Sequence, residues 1–193
     1  TNGCGKAELC PALSLTDLFR DERAAATKEQ VRGLLDAVPP YFSQSVITAD
    51  RKTANLAFGI KLMPLDRKVM LKTRGRRSVL GPVGVQSLLL ESIGRKSGQK
   101  RVSPLLYARD GESVIVVGSN FGQEHHPAWT GNLIAHPDVE IIVGGVEVPV
   151  RAELLSGEDA EAAYQKMIAS ASVYSVYRTR TDREIRVFRL TPR

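Results

Sequence analysis

The sequence predicts an α+β domain in which a mostly antiparallel sheet closes into a small barrel with two helices inserted. Three observations carry that prediction. Beyond residue 84, six short apolar or alternating runs rich in β-branched residues are separated by turn signals. Only two stretches between them have helical spacing. Most intervening turns are too short for the crossovers that parallel strands require.

The elements follow in chain order. VQSLLLES (85–92), RVSPLLYA (101–108) and ESVIVVGS (112–119) are the first three strands, joined by turns rich in glycine and charge. HPAWTGNLIAH (126–136) then places Ala128, Trp129 and Leu133 at helical spacing. VEIIVGG (139–145) and VEVPVRAELL (146–155) form a strand pair. GEDAEAAYQKMIASASVYSVY (157–177) opens with acidic residues suited to a helix N-terminus, and EIRVFRL (184–190) is the last strand.

The first third of the chain reads differently. Ser14 before LTDLF and Thr27 before KEQVRGLLDAV are helix N-caps, and Pro39 and Pro40 stop the second helix. QSVITAD and TANLAFGIKL flank the polar turn DRK as a hairpin, which Pro64 ends. Three segments result: an extension of helices plus hairpin over 1–72, a basic Gly/Arg/Ser-rich linker over 73–84, and the barrel domain over 85–193.

Composition narrows the function. The net charge of +6 is entirely N-terminal, because residues 1–83 carry 14 Lys and Arg against 8 Asp and Glu, while the rest carry 13 against 13. Its densest part, Lys72, Arg74, Arg76 and Arg77, lacks the interleaved aromatics of a nucleic-acid surface, so no nucleic acid is expected. No apolar run reaches the roughly 18 to 20 residues of a spanning helix. A cytoplasmic chain is expected, with peripheral membrane contact left open to the basic run. Cys4 and Cys10 have no further Cys or His at ligand spacing, so no metal is expected, and reduced thiols suit a cytoplasm. Thr1 in place of Met suggests a fragment or processed form.

Gly94–Arg95–Lys96–Ser97–Gly98–Gln99–Lys100–Arg101 is the most informative segment. Between two strands it gathers four cations, a hydroxyl, an amide and two glycines. Glycines let backbone N–H groups approach an anion, while Arg offers a forked donor and Lys a point charge. On composition alone the segment reads first as an exposed basic turn, with a phosphate-bearing ligand as the functional alternative; it has neither the Walker nor the dinucleotide-binding order. His125 and His126 point apart and have no third ligand in register. Asp182 and Arg183 are expected to order the turn before the last strand. Trp129 is expected to anchor helix packing. No hydrolytic triad is visible.

Three motifs in order, SIGRKSGQKRVSPLLYARDGESVIVVGSNFG, HPAWTGNLIAHPDVEI and YSVYRTRTDREI, resemble the deazaflavin (coenzyme F-420)-dependent nitroreductase and quinone reductase family over 88–192. That resemblance implies a split β-barrel related to FMN-binding barrels, reduced coenzyme F-420 as cofactor, and hydride transfer to a quinone-like or nitro acceptor. It implies that Arg95, Lys96, Ser97, Gln99 and Arg101 meet the phosphate and oligoglutamate tail. Pro104 and Leu105 would bring backbone near the ring, and Asn132 would contact the cofactor. Asn120 stands where members often carry a basic residue, which bears on one charge contact. Ser119, Tyr174 and Tyr177 would line the acceptor site, with Ala171 in place of the first aromatic of the family's tyrosine series. Packing is the alternative for both tyrosines. FMN is the alternative cofactor, and a non-catalytic carrier the alternative role. Open sheet edges favour a homodimer. A second resemblance, of SVITADRKTANLAFGIKLMPLDRK to a porter subdomain of resistance-nodulation-division (MMPL-type) exporters, implies a fused segment or a soluble exporter fragment.

Overall fold

The computed structural model describes residues 64–79 and 86–193. Cys4, Cys10, the helices expected after Ser14 and Thr27, and the hairpin around DRK lie outside them. The first described helix, α1, covers 64–72. Seven strands follow: β1 (Ser87–Ile93), β2 (Lys100–Leu106), β3 (Ala108–Asp110), β4 (Ser113–Val117), β5 (Asp138–Val143), β6 (Val146–Leu155) and β7 (Val187–Pro192). Three helices are interleaved, α2 (Ala128–Ala135), α3 (Gly157–Ser170) and α4 (Tyr174–Arg178). No helix among the described residues is long and apolar enough to cross a membrane.

The strands form one antiparallel sheet in the order β2-β1-β5-β6-β7-β4-β3. β2 and β3 stand at opposite ends of that order, yet only Tyr107 separates them in the chain. The sheet must therefore curl until its ends meet, as a split barrel does. The six expected runs are all present. The run expected as one strand over 101–108 is divided, because Tyr107 is buried in the interior and carries the chain from one end of the sheet to the other.

Alternation along the strands sorts side chains into two faces. Leu88, Leu90, Ile141, Val148, Val150, Phe188 and Leu190 fill the barrel, and Trp129 and Leu133 of α2, four residues apart, enter the same core. Trp129 leans on Phe188 at 5.7 Å between centroids, the expected packing anchor. Outside, Met70 of α1 covers Leu89 and Ile142. Two-sided burial explains why β1 reads as an unbroken apolar run.

α3 lays Ala163, Tyr164 and Met167 over Ile115, Val117 and Val187 on the opposite outer face. Its first turn carries Glu158 and Asp159, as expected for a helix N-terminus. The stretch expected to be helical over 157–177 is two helices. Ala171 is extended at φ −146° and ψ 99°, and the Tyr164 hydroxyl donates to the Tyr174 carbonyl at 2.8 Å. That bend turns the Tyr174 and Tyr177 rings inward, edge to face at 5.3 Å, where a continued helix would have carried them past the sheet.

Candidate functional site

The β1–β2 turn is closed by its own backbone. Gly94 N–H donates to the Gln99 carbonyl at 2.8 Å, and the N–H groups of Ser97 and Gly98 both reach the Gly94 carbonyl. Gly98 takes φ +65°, a conformation that glycine adopts freely. Arg95, Lys96, Ser97, Gln99 and Arg101 are all exposed.

Strand alternation splits the cations that the sequence groups together. Lys100 lies opposite Ile93 and shares the outer face with Glu91 and Glu140, with which it forms ion pairs. Bonding to Glu91 holds the Lys100 ammonium above its ordinary value. Arg101 lies opposite Ser92, on the face of Leu88 and Leu90, and its Nη2 donates to Gln99 Oε1 at 3.1 Å. Among the described residues no carboxylate pairs with Arg95, Lys96 or Arg101. Pro104 lies opposite Leu89, so its ring faces outward and only its backbone is turned to the interior side.

Helix α2 supports the hairpin. Asn132 is 6% exposed; its Oδ1 accepts the Arg95 N–H at 3.1 Å and its Nδ2 donates to Ser92 Oγ at 3.2 Å. A Cβ on Gly131 would lie 2.9 Å from Arg95 Nε, so the guanidinium stem rests on bare helix backbone. One residue earlier, Thr130 receives the next segment: a Cβ on Gly118 would lie 2.6 Å from its methyl. Consecutive residues of α2 thus touch the cationic hairpin and the strand end that leads to Ser119. Gly131 escapes sequence reasoning because a helical glycine signals only lost propensity.

The turn after Ser119 is strained. Asn120, Phe121 and Gly122 take φ +48°, +58° and +78°, and non-glycine residues there cost on the order of 1–3 kcal/mol each. Arg183 holds it in place. Its Nη2 donates to the carbonyls of Gly118 (3.1 Å) and Ser119 (2.7 Å), its Nε to Gln123 O (2.8 Å), and its Nη1 meets His126 Nδ1 at 3.0 Å. The expected ordering role of Arg183 is therefore extended to the Ser119 turn, 64 residues away in the chain. Asn120 Nδ2 donates to Gln123 Oε1 and the His125 carbonyl.

Desolvation, then the charges of Arg186 and Arg183, hold the His126 imidazole below its ordinary value of 6.5. The folded state then binds fewer protons than the unfolded chain near that pH. His126 contributes stability that is complete above 6.5 and is lost as pH falls through its lower folded value. Melting temperatures between about pH 7.5 and pH 5 should fall less in His126→Asn, which keeps an acceptor for Arg183 and cannot titrate.

Tyr174 and Tyr177 are buried in the core beneath α3, and burial raises both phenols, Tyr174 far above its ordinary value. Both hydroxyls are neutral donors at neutral pH. Phe121 joins this layer to the strained turn, meeting Tyr177 edge to face at 6.0 Å. Ser119 is buried at the start of that turn. A cavity of about 400 Å³ lies between α3, α4 and the segment before β7, lined by Glu161, Arg178, Thr181, Arg183 and Glu184 among others, and neither Ser119, Tyr174, Tyr177 nor the hairpin lines it. Its two guanidinium groups are already engaged, Arg178 with Glu161 and the Tyr164 ring, Arg183 with carbonyls.

Fold and site together define a split-barrel protein with a cationic β-hairpin at the sheet edge that packs against helix α2. The chain belongs to the F420H(2)-dependent quinone reductase family, whose model matches residues 80–192. It is 38% identical over 138 residues to an F420H(2)-dependent quinone reductase of Mycobacterium tuberculosis, covering 70% of this chain and 93% of the relative. Among solved structures, an F420-H2 dependent reductase (FDR-A) aligns with 33% identity and a TM-score of 0.51, over 54% of this chain and 93% of that one. Another, described as a domain-swapped dimer, aligns with 28% identity and a TM-score of 0.53, over 66% and 98%. The expected family and fold are both borne out.

Proposed function

We propose that this protein is an oxidoreductase that binds reduced coenzyme F-420 and delivers its hydride to a quinone-like acceptor, with nitro compounds as a secondary class. The observation that carries it is the set of three cations, Arg95 and Lys96 on the turn and Arg101 at the start of β2, that pair with no carboxylate among the described residues, on a hairpin that leans on α2. By contrast, Lys100 on the outer face of the same hairpin and, elsewhere on the barrel, Arg151, Lys166 and Arg189 each face a carboxylate. A surface left with uncompensated charge fits a polyanionic tail.

When bound, the reduced cofactor supplies the hydride, and the protein supplies orientation and exclusion of water. Arg95, Lys96, Ser97, Gln99 and Arg101 would hold the phosphate and tail. Asn132 keeps the hairpin against α2, and the backbone at Pro104 and Leu105 would border the ring, with Asn120 offering its Oδ1, since its Nδ2 already donates to Gln123 and His125. Ser119, Tyr174 and Tyr177 are buried; they would position the acceptor once their side chains are uncovered, and their neutral hydroxyls would then stabilise charge that develops on its oxygen. A homodimer draws support from the relative described as domain-swapped.

Mixing the purified chain with reduced coenzyme F-420, FMN and a nicotinamide, and then with menadione, tests the assignment. Quenching by the deazaflavin followed by menadione-dependent oxidation is expected. A yellow protein that retains FMN and ignores the deazaflavin would overturn it. Gly131→Ala provides a separate check: the helix gains about 0.5–1 kcal/mol of propensity, so the melting temperature holds or rises. Displacement of Arg95 should weaken deazaflavin binding severalfold at the same time.

A further inference from the structure

Phe121 is 40% exposed on a backbone that disfavours it. The next residue, Gly122, is also left-handed, and there a Cβ would collide with Arg180 Cβ at 2.6 Å and the Tyr177 carbonyl at 2.9 Å. At position 121 the chain carries a large aromatic ring in the same conformation. Arg183 fixes the carbonyls of Ser119 on one side and Gln123 on the other, and the Tyr177 edge sets the tilt of the ring at 83°. Core packing does not account for so exposed a side chain held by so many fixed groups.

We propose that Phe121 is a side wall of the acceptor site and a specificity-determining residue that favours flat, fused-ring quinones over single-ring acceptors. The inference rests on the quinone-reductase reading above. An aromatic face offers offset stacking to a planar guest, and the contact grows with the area of the guest's ring system. Removing the wall should therefore penalise a two-ring acceptor and spare a one-ring one.

Phe121→Gly suits φ +58° and removes the ring. In the full chain, deazaflavin affinity should be unchanged, KM for menadione should rise about tenfold with kcat little altered, and KM for 1,4-benzoquinone should move less than about twofold. Phe121→Leu should fall between, and it carries the comparison if the glycine variant does not fold. A menadione KM like that of the parent protein, or an equal rise for both quinones, overturns the wall. Failure of the parent protein to bind the deazaflavin is seen before any variant is made, and it sinks the underlying function along with the wall.

Discussion

Lys96→Ala combined with Arg101→Ala is expected to raise the dissociation constant for reduced coenzyme F-420 about a hundredfold in a fluorescence titration. Each charge-assisted contact on this exposed turn should contribute about 1.4 kcal/mol, below the range for shielded sites, and each such step is tenfold. The melting temperature should hardly move, since neither side chain packs in the core or pairs with a carboxylate among the described residues. Lys100→Ala is the matched control. It removes an equal charge from the same eight-residue segment, but from the outer face where Glu91 and Glu140 hold it, so cofactor binding should be unchanged. Equal losses from Lys100 and Lys96 would mean that only net charge matters and that the hairpin has no defined ligand face.

Trp129→Ala should be the most damaging single change, costing about 3–5 kcal/mol as large-to-small core substitutions of aromatics do. Calorimetry should show the melting temperature drop by roughly 10–20 °C. The loss has a functional component beyond the cavity. Trp129 pins α2 into the barrel against Phe188, and α2 in turn seats Gly118 through Thr130 and the hairpin through Asn132. Deazaflavin affinity should therefore weaken at temperatures where the variant is still folded. Trp129→Phe, which keeps a ring in the core, should restore much of both. Intact affinity in a destabilised Trp129→Ala would show that α2 does not hold the site.

Strand positions were legible because alternation is a local property that any antiparallel sheet imposes, and all six expected runs occur as strands. The GRKSG turn was legible because glycines at 94 and 98 flank a cationic cluster between two such runs. Other features were hidden by distance in sequence. Nothing local marks Tyr107 as the residue that joins the two ends of the sheet. The bend at Ala171 depends on a hydroxyl from Tyr164 meeting a carbonyl at Tyr174, a contact that exists only once α3 has packed. Arg183 reads as a turn residue, and its reach to Ser119 needs the β7 end and the turn after β4 to be brought side by side.

By itself the sequence determined the strand periodicity, the cationic turn, the family and the expected chemistry, all of which follow from residue type and order. Tertiary structure alone decided which cations of the hairpin meet a carboxylate among the described residues and which do not, because strand pleating sends Lys100 to one face and Arg101 to the other. It also placed Gly131 against Arg95, Phe121 against Tyr177 and Arg183 against the Ser119 turn, neighbours 36 to 64 residues away, and gave Asn132, which the family resemblance had singled out, its hold on Arg95 and Ser92. Burial and contact are properties of pairs, and a chain acquires them only when the sheet has curled closed.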